Sequence, residues 1–396
     1  MGGESGWRRD TRLVRGGLKR SGFHETSEAL YLNSGFVYDS AEQAETAFAG
    51  DSDHFVYSRY GNPTVSMFQD RLAALEEAEA CLATGTGMAA VFAALACLLD
   101  QGDRLVASRA LFGACHAIVS KILPRWGVET VLVDGHDLEQ WQAALAMPAK
   151  AVFLESPSNP MLELVDISAV AELARAAGAR VIIDNVFATP TGQSPLKLGA
   201  DIVTYSATKH IDGQGRVLGG AVLGDRQFIN DVLKPFYRQT GPSISPFNAW
   251  VLLKSLETLP LRVSRMVDTA AQLANMLEQH NAVSRLRYPG LASHPQHALA
   301  CRQMEHFGNL LAFSLPAGKE QAFRFLNSLE IIDISNNLGD SKSLACHPAS
   351  TTHSSLDAEE RQRLGIDDGV IRLSVGLEDA EDLSEDIAKA LEQATA

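Results

Sequence analysis

Two residues near the middle of the chain have types and surroundings suited to chemistry. At 206–210 the sequence reads S-A-T-K-H, so Lys209 follows the apolar run D-I-V-T-Y and precedes the flexible D-G-Q-G. Upstream, Asp184 closes R-V-I-I-D-N (180–185), directly behind three β-branched apolar residues. A strand-end lysine amine can form an imine with an aldehyde, and it serves as a base when burial lowers its pKa. A carboxylate behind such a run is at least partly buried and needs a cation or a donor. Taken singly, the lysine ends an edge strand and the aspartate caps the next turn. Taken together, they are the pair that binds pyridoxal phosphate. The lysine bonds the aldehyde carbon, and the aspartate keeps the pyridine nitrogen protonated so that the ring accepts electrons.

Such a cofactor needs a phosphate cradle. T-G-T-G-M-A-A-V-F-A-A-L (84–95) is a glycine turn opening an apolar helix, and backbone N–H groups at a helix start bind phosphate. The stretch also matches G-x-G-x-x-A. A dinucleotide site would place an acidic residue about 20 positions on, at the end of the next strand. That strand ends in Ser108–Arg109, and no G-K-[ST] follows. A single phosphate suits pyridoxal phosphate, with Ser206 and Thr208 as further hydroxyl donors. A turn with packing glycines is the structural alternative.

The elements that must position these groups alternate. Asn62 caps and Pro63 opens a helix whose stripe is Val65, Phe68, Leu72 and Leu75. Short apolar runs follow at 104–108, 128–133, 151–156, 180–185 and 201–206, with helical segments at 137–147 and 166–178 between some of them. Buried strands alternating with helices predict an α/β fold with a mostly parallel sheet. Ligands bind beyond the carboxyl ends of such strands. Glu155, Asn159, Asp184, Asn185, Ser206, Thr208 and Lys209 all sit at those ends and are expected to converge. After about residue 250 the pattern turns to a long helical stretch (A-W-V-L-L-K-S-L-E-T-L), then to strands at 310–315 and 370–375. The expected division is an N-terminal arm (1–60), a large cofactor-binding domain (61–255) and a smaller C-terminal α/β domain (256–396).

Composition narrows the classes. The chain has 396 residues, enough for two or three domains. A net charge of −14 argues against a nucleic-acid partner. The basic cluster Arg8, Arg9, Arg12, Arg15, Lys19, Arg20 is interrupted by Asp10, with Glu4 ahead of it, and reads as a solvated arm. The longest apolar stretch, 88–99, is too short for a membrane span of roughly 20 residues. Five scattered cysteines point to a reducing, cytoplasmic compartment without a disulfide framework. No Cys/His spacing suggests a metal site, and His210 beside Lys209 reads as structural.

Several motifs in order carry a resemblance: Y-S-R-Y-G-N-P-T (57–64), T-G-M-A-A (86–90), L-F-G (111–113), E-S-P-S-N-P (155–160), I-D-N-V-F-A-T-P (183–190), S-A-T-K-H-I-D-G (206–213) and I-R-L-S-V-G-L-E (371–378). The chain resembles, over about 12–390, the pyridoxal-phosphate enzymes of cysteine and methionine metabolism related to cystathionine γ-synthase. That resemblance implies a fold-type I transferase with a seven-stranded sheet in the large domain. It implies Lys209 as the imine-forming lysine and proton shuttle, and Asp184 at the ring nitrogen. Gly87, Met88, Ser206 and Thr208 fall to the phosphate, Phe112 to stacking on the ring, and Asn159 to the 3-hydroxyl and the substrate. Arg372 falls to the substrate carboxylate, where a fork suits better than an ammonium. Tyr57, counted also as catalytic, and Arg59 are expected to reach the phosphate of a neighbouring subunit, in a homotetramer built from dimers with shared active sites.

One departure from the family pattern is Phe112, where most members carry tyrosine before the glycine of L-F-G. A phenyl ring can stack but has no hydroxyl for acid–base work. S-R-A-L-F-G-A-C-H, the N-N-L-G-D-S-K-S loop (336–343) and G-P-S-I-S-P-F-N-A-W are most similar to sulfhydrylases that act on O-succinyl-L-homoserine with sulfide. Ser343 is an expected substrate contact, with His116 and Lys342 as further neighbours of the succinyl group. Open alternatives are cystathionine γ-synthase, O-acetylhomoserine sulfhydrylase, methionine or cystathionine γ-lyase and, from a different class, a non-catalytic pyridoxal-phosphate-binding protein.

Overall fold

The computed structural model describes residues 6–395. Residues 1–5 of the arm, Glu4 among them, lie outside the described residues. The large sheet is made of β1 (Ala80–Thr84), β2 (Arg104–Ser108), β3 (Glu129–Val133), β4 (Ala151–Glu155), β5 (Arg180–Asp184), β6 (Ile202–Ser206) and β7 (Gly220–Gly224). Their order is β1-β7-β6-β5-β4-β2-β3. Only β7 runs against its neighbours; β2 to β6 are parallel, in register from Glu155 opposite Asp184 to Asp184 opposite Thr204.

Both faces of this sheet are covered, which is why its strands read as unbroken apolar runs. Alternate residues go to opposite faces. Phe153, Ile182 and Ile202 pack with Val91 and Leu95 of α4 (Gly87–Ala96), the fourth helix after α1 (Arg9–Arg15), α2 (Ala41–Ala49) and α3 (Pro63–Glu76). Val152, Leu154, Val181 and Ile183 pack on the other face with Trp141 and Val170. Those two come from α6 (Leu138–Ala144) and α7 (Ile167–Ala176), which follow α5 (Gly113–Ala117). Each such fully buried side chain contributes roughly 1.5–3 kcal/mol.

The second sheet has the order β10-β11-β12-β9-β8, from β8 (Arg285–Arg287), β9 (Leu310–Ser314), β10 (Asp333–Ile334), β11 (Leu344–Cys346) and β12 (Val370–Ser374). Its core joins Leu311, Phe313, Ile371 and Leu373 to the helices Leu259–Glu278, Lys319–Ser328 and Ala380–Thr395. The long helical stretch after residue 249 is two helices, Pro246–Leu256 and Leu259–Glu278. Pro260 sits in the first turn of the second, where its missing N–H has no partner to lose.

The basic cluster is not a free solvated arm. Residues 9–15 form α1, whose Leu13 is buried in the α3 core cluster. Arg9 pairs with Glu305 at 2.9 Å, and buried Arg71 of α3 donates to the Gly16 carbonyl. One apolar anchor with charged ties on either side docks the segment. A single leucine among arginines gives no periodic signal that sequence reading can use.

Candidate active site

The carboxyl ends of β4, β5 and β6 face the N-terminus of α4 and the 336–338 segment that follows β10. Between them lies a cavity of about 240 Å³. Lys209, Asp184, Phe112, Asn159, Ser206 and Arg372 line it, with Gly87, Met88 and Thr208. The strand ends thus bring together nearly every residue that the sequence singles out.

Lys209 is half-buried on the turn after β6. Its Nζ donates to Asn337 Oδ1 at 2.5 Å. Burial, and then the charge of Arg372, lower its pKa to about 8. Among the described residues no carboxylate pairs with it, so the neutral amine is accessible near neutrality.

Asp184 Oδ1 accepts the Val186 N–H at 3.0 Å, and no cation answers its charge among the described residues. Burial raises its pKa to about 7. A buried carboxylate with free accepting capacity, facing a cavity, is suited to a protonated ring nitrogen. On the next strand Glu155 lies beside it and accepts the Phe112 N–H at 2.8 Å. Burial, then the charge of Asp184, push Glu155 well above the usual carboxylate range.

The phosphate end is built at α4. Thr86 caps the helix by accepting from the Ala89 N–H, and the first-turn N–H groups of Gly87 and Met88 have no carbonyl within the helix to reach. A Cβ on Gly87 would lie 2.5 Å from Ser206 Cβ, so glycine is what lets the helix start approach the end of β6. The Ser206 hydroxyl faces this gap. The Thr208 hydroxyl is already engaged, donating to the Gly219 carbonyl at 3.2 Å and accepting its N–H at 3.1 Å.

Arg372 on β12 enters from the second sheet, 2% exposed. Its Nη1 donates to Asn159 Oδ1 at 3.1 Å, and Nη2 to the Asn336 and Asn337 carbonyls at 2.8 and 3.1 Å. Its Nε is buried with no partner, and no carboxylate neutralises it among the described residues. A buried guanidinium with a spare donor is a ready carboxylate site. These groups fit pyridoxal phosphate and an amino acid together: an amine for the aldehyde, a carboxylate for the ring nitrogen, a helix start for the phosphate, and a guanidinium for the substrate carboxylate.

Other expected residues lie elsewhere. Ser343 is fully buried away from the cavity: it donates to Glu378 Oε2 at 2.8 Å and accepts the Gly376 N–H at 2.9 Å. Its hydroxyl joins β11 to the turn after β12, and Ser343 does not line the cavity. Neither His116 nor Lys342 lines the cavity; Lys342 is an exposed partner of Asp340. His210 is a buried structural histidine bonded to Asn309, its pKa lowered to about 4 by burial. Tyr57 and Arg59 sit outside the cavity of their own chain, with the Arg59 guanidinium 4.7 Å from the Tyr60 ring centre.

Two contributors, Asn337 and Thr352, were not singled out beforehand, and Glu155, expected at the strand ends, had no role assigned. Asn337 holds the Lys209 amine, Glu155 holds Phe112, and Thr352 closes the wall from the 347–357 loop. Glu155 had a usable signal, as the last residue of a buried strand. Asn337 had none, because the 336–338 segment has no regular structure before β11.

The family model for the pyridoxal-phosphate-dependent enzymes of Cys/Met metabolism matches residues 10–392. The chain belongs to this family. It is 58% identical over 382 residues to an O-succinylhomoserine sulfhydrylase of Mycobacterium tuberculosis, covering 96% of this chain and 94% of that protein. It is 46% identical, with the same coverage, to an O-succinylhomoserine sulfhydrylase of Pseudomonas aeruginosa. Among solved structures, a putative O-acetylhomoserine (thiol)-lyase of Campylobacter jejuni aligns with a TM-score of 0.94 and 32% identity, over 98% of this chain and all of that one. That structure carries N′-pyridoxyl-lysine-5′-monophosphate. The fold is that of the fold-type I enzymes, and pyridoxal phosphate is the cofactor. Among the described residues no helix is long and apolar enough to cross a membrane.

Proposed function

We propose that the chain replaces the succinyl group of O-succinyl-L-homoserine with sulfide, giving L-homocysteine and succinate. The observation that carries this reading is the convergence of the Lys209 amine, the Asp184 carboxylate and the Arg372 guanidinium on one cavity with a phosphate cradle. The choice of succinyl substrate and sulfide rests on the 58% and 46% identities to enzymes of that name. Phe112, with no hydroxyl at the cavity wall, favours replacement over the lyase alternatives.

Bound pyridoxal phosphate supplies an aldehyde that links to amines and a protonated ring that draws electrons from the substrate Cα. Asp184 holds the proton at the ring nitrogen. Gly87, Met88 and Ser206 would hold the phosphate, and Phe112 would stack on the ring. Arg372 grips the substrate α-carboxylate, with Asn159 fixing its fork. Lys209 would take the proton from the substrate Cα and move protons at Cβ, so that succinate could leave Cγ and sulfide take its place. Its lowered pKa makes the neutral amine, the form a base requires, far more accessible near neutrality than in a free lysine. Asn337 aims the amine.

Within this reading Tyr57 and Arg59 complete the phosphate site of a neighbouring subunit in a cytoplasmic homotetramer. Supplied with O-succinyl-L-homoserine and sulfide, the purified protein releases homocysteine and succinate in equal amounts, and Lys209→Ala loses at least about 10³-fold in rate. Normal turnover by Lys209→Ala would overturn the assignment.

A further inference from the structure

Glu155 is the one carboxyl at the cavity that the proposed steps leave unused. It ends β4 directly opposite Asp184 on β5, and side chains at matched positions of parallel strands share a face. An oxygen of Glu155, an oxygen of Asp184 and the Cys115 Sγ all lie within 4.8 Å of one another. Glu155 is 6% exposed, and its Oε1 accepts the N–H of Phe112, the residue whose ring lines the cavity. The titratable groups facing it are Asp184 from β5 and Cys115 from α5, while Lys209 and Arg372 stand across the same cavity. No cation pairs with either carboxyl among the described residues. Two ionised carboxylates this close and this buried are strongly disfavoured, so the pair retains a proton.

The geometry says which member keeps it. Each carboxyl accepts one backbone N–H, so depth decides, and Asp184 is the less buried of the two. Glu155 lies deeper, and its burial and the neighbouring Asp184 charge outweigh the Phe112 N–H and Cys115 S–H that favour its ionised form. We infer that Glu155 is a positioning residue: as a neutral carboxylic acid it ties the Phe112 backbone to Asp184 and holds the pair at one negative charge opposite the cofactor ring nitrogen. A second negative charge there would tighten the hold on the ring proton. Loss of the tie would free the Phe112 loop from the strand end. The inference rests on the pyridoxal-phosphate reading of the same cavity and adds the residue that sets its charge.

The test is an infrared difference spectrum of wild type against Glu155→Gln, with the cofactor bound, at pH about 8. The expected result is loss of one carbonyl-stretch band of a protonated carboxylic acid. Alongside it, Glu155→Ala lowers kcat/KM by at least about tenfold, Glu155→Gln recovers most of that loss, and its visible absorbance titrates with pH as wild type does. No lost band would show an ionised Glu155 and overturn the proposal, as would a Glu155→Gln absorbance titration displaced from wild type. Should Glu155→Gln not fold, carbon-13 NMR of wild type labelled at glutamate Cδ replaces it. One glutamate beyond Glu76, whose signal is assigned with Glu76→Gln, must stay protonated at pH about 9, and its absence overturns the proposal. The proton is read without turnover. A wild-type protein without the protonated Glu155 band therefore refutes the inference and leaves the sulfhydrylase reading standing, and a protein that has the band but makes no homocysteine refutes only that reading.

Discussion

The Lys209 Nζ and the Asn337 Oδ1 are joined by a 2.5 Å hydrogen bond that crosses from the turn after β6 to the segment before β11. The two sheets of the protein therefore meet at the reacting amine. The same segment offers the Asn336 and Asn337 carbonyls to Arg372. One short stretch thus sets both the base and the carboxylate grip, and a shift of the second sheet moves them together.

Asn337→Ala should lower kcat roughly 10- to 100-fold, the worth of one hydrogen bond to a chargeable group. KM for O-succinyl-L-homoserine should change less, because Arg372 keeps its carbonyl partners. Steady-state kinetics check the split. An unchanged kcat with a raised KM would place Asn337 in substrate binding instead.

Phe112→Tyr restores a hydroxyl at the cavity wall. In the absence of sulfide, release of α-ketobutyrate from O-succinyl-L-homoserine should rise up to about tenfold. A keto-acid assay on both proteins checks it. No rise would mean that the missing hydroxyl does not restrain elimination.

Glu76 gives a pH prediction away from the active site. It is buried at the end of α3, accepts from the Tyr205 hydroxyl, and leaves its Oε2 without a partner. Burial raises its pKa from 4.5 to about 8. The folded state therefore holds a proton that the unfolded state releases across that window, so this contribution to stability is present below pH 4.5 and is lost as pH rises towards 8. Glu76→Gln should flatten the fall of melting temperature with pH over that range, a change of order a few kcal/mol across it. Melting curves of both proteins at several pH values test this, and parallel curves would contradict it.

Much of the large sheet is legible because its strands are buried on both faces: 104–108 and 151–155 stand out as apolar runs ending in polar residues. The strand β7 does not, since G-G-A-V-L-G looks like a loop. Its first glycine is required by packing: a Cβ on Gly220 would lie 2.2 Å from the Thr86 carbonyl oxygen at the phosphate turn. The site residues legible in sequence are those at strand ends, where topology alone fixes their direction. Ser343 and Asn337 belong to irregular backbone between short strands. Which of them faces the cavity depends on how Glu378 and Arg372 draw that backbone, and such long-range contacts leave no local pattern.

The most direct test of the proposed activity offers the purified, cofactor-loaded protein O-succinyl-L-homoserine with sulfide and cysteine together and identifies the sulfur products. Homocysteine as the main product, with little cystathionine, is the predicted result. Cystathionine as the main product, or α-ketobutyrate with neither thiol product, would contradict it.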